Sequence, residues 1–254
     1  MNDDELNLLI DLHIRQERQG PGSEETSRRA LEATGLLATP HPNQLRMADV
    51  GCGTGASTLM LARETGGHVT AVDFLQAFLD QLMVHASAAG LQEHISTVCA
   101  DMTDLPFEAD SLDLIWSEGA IYNMGFQEGI QAWRPFLQTG GSLVLSEIAY
   151  LTDHPAPELQ AFWNEAYPQI GTIADKTQAL EDAGYEVVTS FPLPTTCWEA
   201  SYYAPLEAQF DPFLARHSGS ELASAIVDNE RAEIALYRQH ASEISYGMFV
   251  ARKR

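Results

Sequence analysis

Between residues 45 and 150, short apolar runs alternate with stretches whose apolar residues recur every three to four positions. The runs at 45–50, 68–72, 95–100, 112–116 and 142–147 predict five strands. Helices are expected between them. One covers 57–65. A second follows the stripe Leu75, Phe78, Leu79, Leu82, Met83 and Ala86, and a third lies around 128–137. Gly66-Gly67 and Gly90 end the first two, and Gly140-Gly141 reads as the turn into the fifth strand. Strands alternating with helices point to a parallel sheet covered on both faces, an α/β domain.

The pattern differs on either side. Leu6, Leu9, Ile10, His13 and Ile14 form a helical stripe within 3–18, broken by Gln19-Gly20-Pro21-Gly22. Ser23-Glu24-Glu25-Thr26 caps a second helix that runs to Gly35. Residues 1–43 are therefore expected as an N-terminal helical cap, and 44–254 as the main domain. Past Tyr150 the periodicity loosens. An aromatic helix carries Phe162, Trp163 and Tyr167, another helix covers 172–183, and 185–191 is a sixth strand. Residues 192–205 read as irregular, 206–217 and 221–240 as helical, and 244–251 as a seventh strand. Insertions near 151–184 and 192–240 would complete the cap.

Charge narrows the partners. Asp and Glu number 36 against 14 Lys and Arg, a net charge of −22, which repels phosphate backbones and anionic membranes. Nucleic acid and membrane are excluded as expected partners; a small-molecule substrate is expected, with a homodimer possible. No apolar run reaches the roughly 20 residues of a bilayer span. The opening Met1-Asn2-Asp3-Asp4-Glu5 is acidic where a signal peptide is basic, so the expected location is cytoplasmic. Cys52, Cys99 and Cys197 have no metal-ligand spacing, and Cys52 and Cys99 read as small buried fillers; no metal is expected.

Ligands of an open parallel sheet bind outside the carboxyl ends of its strands. There the sequence places Gly51-Cys52-Gly53-Thr54-Gly55, Asp73, Asp101 and the stretch 117–122. A side chain on the glycine turn would collide with a bound ligand, and the helix after it aims free N–H groups at the same point. The spacing also satisfies a dinucleotide fingerprint through Ala56, so a nicotinamide oxidoreductase is an alternative. Asp49, directly before the turn, disfavours a pyrophosphate; it either ties the turn together or contacts the ligand. Asp73, 18 residues after Gly55, suits a ribose diol, and Asp101 suits an adenine amino group or a turn N-cap.

Taken together, Ala48-Asp49-Val50-Gly51-Cys52-Gly53-Thr54-Gly55, Asp73, Ala100-Asp101-Met102, Leu105-Pro106-Phe107, Asp113-Leu114-Ile115-Trp116 and 137–143 resemble the class I, seven-stranded S-adenosylmethionine-dependent methyltransferases. Residues 18–22, 115–123 and 162–168 are similar to a subgroup of uncharacterised bacterial small-molecule methyltransferases. The resemblance implies a Rossmann-like, doubly wound, mostly parallel sheet of order 3-2-1-4-5-7-6, with the last strand antiparallel. It implies S-adenosyl-L-methionine as cofactor. Gly51 and Gly53 would lie along its methionine part, Asp73 on the ribose, Phe74, Asp101 and Met102 around the adenine, and Ser117 and Glu118 near the sulfonium. Gln19 and Gly20 would close over it from the cap.

Methyl transfer from a sulfonium needs a positioned acceptor more than an acid–base triad. The catalytic candidates are Glu118 as base or orienting group, Tyr122, and His154, which also reads as a surface histidine. Asn123, Tyr150, Trp163, Tyr167, Trp198 and Tyr202 are candidates for the acceptor pocket, either as an aromatic cage or as ordinary packing. Ser117-Glu118-Gly119-Ala120 replaces the Asn/Asp-Pro-Pro-Tyr of adenine and glutamine N-methylating enzymes. The expected reaction is methyl transfer to a thiol, amine or hydroxyl of a small molecule. A donor-binding sensor or scaffold without transfer activity is the alternative.

Overall fold

Seven strands form one sheet in the order β3-β2-β1-β4-β5-β7-β6. The computed structural model describes residues 3–254, apart from the side chain of Pro42. The strands are β1 (Arg46–Val50), β2 (His68–Asp73), β3 (Ile95–Cys99), β4 (Leu112–Glu118), β5 (Leu137–Tyr150), β6 (Tyr185–Pro192) and β7 (Ile244–Lys253). The first five are parallel, and β7 runs antiparallel between β5 and β6. The sheet order implied by the resemblance is the order found.

Period-two alternation divides the central strands between two apolar layers. Met47, Leu114, Trp116, Val144, Met248 and Val250 pack with Leu31 of α2 (Glu24–Thr34), Leu61 of α3 (Ala56–Thr65) and Leu82 of α4 (Gln76–Ala89). Their neighbours Ala48, Val50, Ile115, Leu143, Leu145 and Phe249 pack with Ile130 of α5 (Phe126–Trp133) and Leu180 of α7 (Ile173–Asp182). Burial of each such aliphatic side chain contributes about 1.5–3 kcal/mol.

A third apolar cluster caps the sheet. It unites Leu12 of α1 (Asp3–His13), Leu159 of α6 (Pro157–Ala166), Phe210 and Phe213 of α9 (Ala204–Arg216), and Val227, Ile234 and Tyr237 of α10 (Glu221–His240). α1 joins the cap cluster, and α2 lies on the sheet. The Ser23–Thr26 capping box starts α2, and Gly35, at φ 78°, ends it.

Two sequence expectations change. Residues 192–205 are largely helical: α8 (Thr195–Trp198) runs through a π turn (Glu199–Tyr203) into α9. Prolines at 194 and 205 suggest a loop, yet Pro205 falls where the π turn passes into α9, at a change of helical hydrogen-bond register. Gly140-Gly141 is no turn ahead of β5 either. Leu112 pairs with Leu137 and Leu114 with Ser142, so residues 138–141 bulge within the strand.

Candidate donor and acceptor site

A cavity of about 560 Å³ opens at the carboxyl ends of β1, β2 and β4. Its floor is the glycine turn and the start of α3. One side carries Asp73, Phe74, Asp101 and Met102, the other Glu118, Gly119, Tyr122 and Asn123. Leu6 of α1 and the strap Arg18–Pro21 approach from above.

The turn is held by the protein itself. Gly51 and Cys52 both donate backbone N–H bonds to the Val72 carbonyl, at 2.8 and 3.1 Å. A Cβ on Gly51 would strike that of Ala120, and one on Gly53 would strike the amide oxygen of Gln19, both from positive-φ backbone. The protein's own side chains therefore exclude a Cβ at these two positions. Gly55 lies outside the cavity lining. It precedes α3 and packs against Leu82.

Asp73 accepts N–H bonds from Gly53 and Leu75, each at 2.9 Å. Burial raises its pKa, and these amides work against that. Each oxygen keeps a lone pair, and two are what a vicinal diol requires. Phe74 beside it is 66% exposed, an open ring of the kind on which a flat base stacks. Asp101 accepts from the Thr103 amide and hydroxyl, at 2.8 and 2.7 Å, and these bonds hold its pKa below the usual value. Met102 lines the same edge. Asp49 is 1% exposed and accepts a 2.6 Å bond from Thr58 on α3, so it does not tie the turn's backbone. Burial pushes its pKa up to about 7, and Glu118 and Asp73 add to the rise.

Gln19 locks the strap to the turn. Its Oε1 accepts the Thr54 N–H at 2.9 Å, and its Nε2 donates to the Gln16 carbonyl and the Thr54 hydroxyl, at 3.1 and 3.0 Å. Gly20 lines the cavity beside it. Glu118 is the second lock. Its Oε2 accepts from Arg18 at 2.9 Å, and its Oε1 from Ser27, Ser57 and Trp116, at 2.6, 2.9 and 2.9 Å. Three donors crowd Oε1 and a guanidinium holds Oε2, so the carboxylate is committed to four bonds within the chain, with a lone pair left only on Oε2. Glu118 lines the cavity and at the same time is a clasp joining the strap, α2, α3 and β4.

The remaining candidates do not form one pocket. Tyr122 and Asn123 line the cavity. Ser117 is fully buried in β4 and absent from the lining, because the strand alternation turns it away from the Glu118 side. His154 is on an exposed loop and does not reach the cavity, so a catalytic role is not supported. Trp198 and Tyr202 are cap core. The Trp198 ring stacks on Tyr237 at 4.4 Å, and its Nε1 donates to Ser245 at 2.9 Å. Tyr150 is buried in the same cluster, and Trp163 packs against it. Tyr167, also buried, sets its ring edge-on to Tyr122 at 6.2 Å. Among the cysteines, Cys99 is exposed rather than a buried filler.

Sequence reading missed a buried ionisable group behind Tyr122. Glu147 of β5 is 0% exposed, and neither carboxylate oxygen accepts a hydrogen bond. Its nearest cation, Lys176 of α7, stands 3.8 Å away. Burial pushes the Glu147 pKa up to about 7, against the pull of Lys176 and the nearby Tyr167 hydroxyl. The available signal was one acid within the apolar run Leu143–Tyr150. The other parts of this region, Tyr246, Glu230 and Glu233, come from distant β7 and α10 and left no local mark.

Residues 47–141 match the family model described as a methyltransferase domain. The chain is similar to the methyltransferase GfsG of Streptomyces halstedii, 31% identical over 41% of this chain and 37% of that protein. It is also similar to the O-methyltransferase resE of Aspergillus sclerotiorum, 24% identical over 67% of each chain. Relatives of this kind include both O- and N-methyltransferases. The chain spans about one third to two thirds of the length of the curated relatives it matches. A solved methyltransferase of Geobacter sulfurreducens, in complex with S-adenosyl-L-homocysteine, shares the fold. Its TM-score is 0.82 at 18% identity, covering 100% of this chain and 99% of that one. Among the described residues, no helix is long and apolar enough to cross a membrane.

Proposed function

We propose that the protein is a class I S-adenosylmethionine-dependent methyltransferase that moves a methyl group from S-adenosyl-L-methionine to a thiol, amine or hydroxyl of a small molecule. The observation that carries this reading is the pairing of Asp73, braced by two backbone amides, with the exposed ring of Phe74 at one end of the cavity. That end fits an adenosine; the opposite end, at Tyr122 and Asn123, leaves room for an acceptor.

When bound, the donor supplies a methyl group already activated by its sulfonium. The chain's own residues then have three tasks. Asp73 and Asp101 accept hydrogen bonds from the nucleoside. Asp101 and Asp73 give the cavity a negative potential suited to a cation and hostile to the pyrophosphate of a dinucleotide. Gln19 and the Arg18–Glu118 pair hold the strap over the turn and keep water out. The acidic surface supports a small-molecule acceptor over nucleic acid.

Labelling tests the reading. Protein incubated with methyl-labelled donor and a fractionated metabolite extract is expected to yield a labelled small molecule. Donor binding with no labelled product from any fraction would instead favour a sensor.

A further inference from the structure

Two helix ends meet in the cap. α10 finishes at His240, and α6 begins beside it, after the loop 151–156. The end of a helix attracts a cation and the start attracts an anion. His240 and Glu158, in the first turn of α6, occupy those two places. His240 is buried. Its Nε2 stands 2.8 Å from Glu158 Oε1, and its Nδ1 stands 3.0 Å from Glu243 Oε1. Both partners are carboxylates, which only accept when ionised. A neutral imidazole has one N–H and satisfies one of them; an imidazolium has two and satisfies both. Hydrogen bonds to Glu243 and Glu158 hold the His240 pKa above the ordinary value of 6.5.

The same two carboxylates fasten the approach to α6. Glu243 accepts the Ala156 N–H at 2.7 Å through Oε2, and its carbonyl accepts the Leu151 N–H at 2.7 Å. Glu158 also accepts from Gln239 at 2.6 Å. α6 has little other hold at this end. No side chain caps its start at Ala156, and Leu159 alone of its 10 residues is buried, whereas α10 buries six. Such a helix depends on its polar fastenings for its place. Of the other charged groups on these elements, Arg238 is turned to Glu199 and Glu207, and Asp153 and His154 are exposed. α6 is a lever about 15 Å long. Tyr167, at its far end, turns its ring edge to Tyr122 at 6.2 Å, and Tyr122 lines the cavity beside Asn123.

We propose that His240 is a proton-dependent latch. As an imidazolium it ties the start of α6 to the end of α10 and so sets the Tyr167–Tyr122 contact at the acceptor end of the cavity; as a neutral ring it releases the start of α6. That Tyr122 borders an acceptor rests on the methyl-transfer reading, whereas the latch itself does not. The sign follows from the raised pKa: the latch is fully closed below 6.5 and opens as pH rises through the folded-state value.

The test follows the full chain by NMR from about pH 5.5 to about pH 9. Ring nitrogen shifts of His240 are expected to titrate with a midpoint above 6.5. Hydrogen-exchange protection of amides 160–167, corrected for intrinsic rates, is expected to fall at least tenfold through the same midpoint. Tyr122 ring signals are expected to move with it. Glu158→Gln should lower the midpoint and carry the loss of protection down with it. His240→Gln should remove the pH step in α6, and this control separates His240 from Glu147, whose pKa near 7 lies close to Tyr122. If His240→Gln fails to fold, Glu158→Gln decides, since that side chain is 57% exposed. Protection that stays flat through the His240 titration, or that steps equally in His240→Gln, would overturn the latch. Tyr122 signals that ignore the midpoint would overturn its reach to the cavity. S-adenosyl-L-homocysteine affinity is expected to agree within threefold on both sides of the midpoint; absence of that binding sinks the methyl-transfer reading and leaves the latch standing.

Discussion

The two ends of the cavity are built on opposite principles. At the donor end, the carboxylates of Asp49, Asp73, Asp101 and Glu118 all accept hydrogen bonds from the chain itself. Behind Tyr122, by contrast, buried Glu147 accepts no hydrogen bond and has Lys176 only at 3.8 Å, and the Tyr167 hydroxyl makes no hydrogen bond. A site whose ligand is the same in every turnover can be set in advance by backbone amides and a clasp of side chains. Unsatisfied groups carry a standing cost of about 1–3 kcal/mol each, which a ligand relieves. The first end is therefore held by the chain's own hydrogen bonds, and the region behind Tyr122 is not.

The largest expected effect breaks the donor end. Glu118→Ala leaves Arg18 without its anion and three donors without their acceptor. Unfolding free energy is expected to fall by about 3–5 kcal/mol, measured by urea denaturation. A loss under about 1 kcal/mol would mean that Glu118 is no clasp. Asp73→Ala comes next. It frees the Gly53 and Leu75 amides and removes the diol acceptor, so donor affinity should drop about 100-fold by calorimetry.

A pH series sharpens the contrast. The folded-state pKa of Asp49, pushed up to about 7, exceeds the ordinary aspartate value of 3.8, so the folded protein holds this proton more tightly than the unfolded chain. The cost of ionising Asp49 grows as pH rises from about 4 to about 7, and stability falls across that window. Glu147 and Glu233, also near 7, add in the same direction. Asp49→Asn should flatten the decline between pH 5 and 7.5 by about 1–3 kcal/mol, read from thermal unfolding. An unchanged slope would show that Asp49 ionises freely. Phe74→Ala is milder: donor affinity should fall about tenfold with little change in stability, because the ring is 66% exposed. The smallest effect is that of His154→Ala, expected within about 0.5 kcal/mol in stability and without effect on turnover.

The contrast also explains what the sequence could reveal. The glycine turn, Asp73 and Asp101 were legible because each stands at a strand end, and strands announce themselves by period and by apolar runs. Glu118 was visible as a residue but not as a clasp, since two of its partners, Arg18 and Ser27, lie 100 and 91 positions away. Aromatic residues after 150 could not be sorted into pocket and packing. Trp198 and Tyr202 went to the cap core because 192–205 coils into α8 and its π turn instead of looping over the site. Glu147 was hidden by its own surroundings. One acid in an apolar run reads as a strand end until Tyr122, Lys176 and α10 are folded around it.

Calorimetric titration of the full chain with S-adenosyl-L-homocysteine, alongside NADH, tests the central claim most directly. The account predicts micromolar binding of the former, loss of that binding in Asp73→Ala, and no heat from NADH. Binding of NADH with no binding of S-adenosyl-L-homocysteine would contradict it.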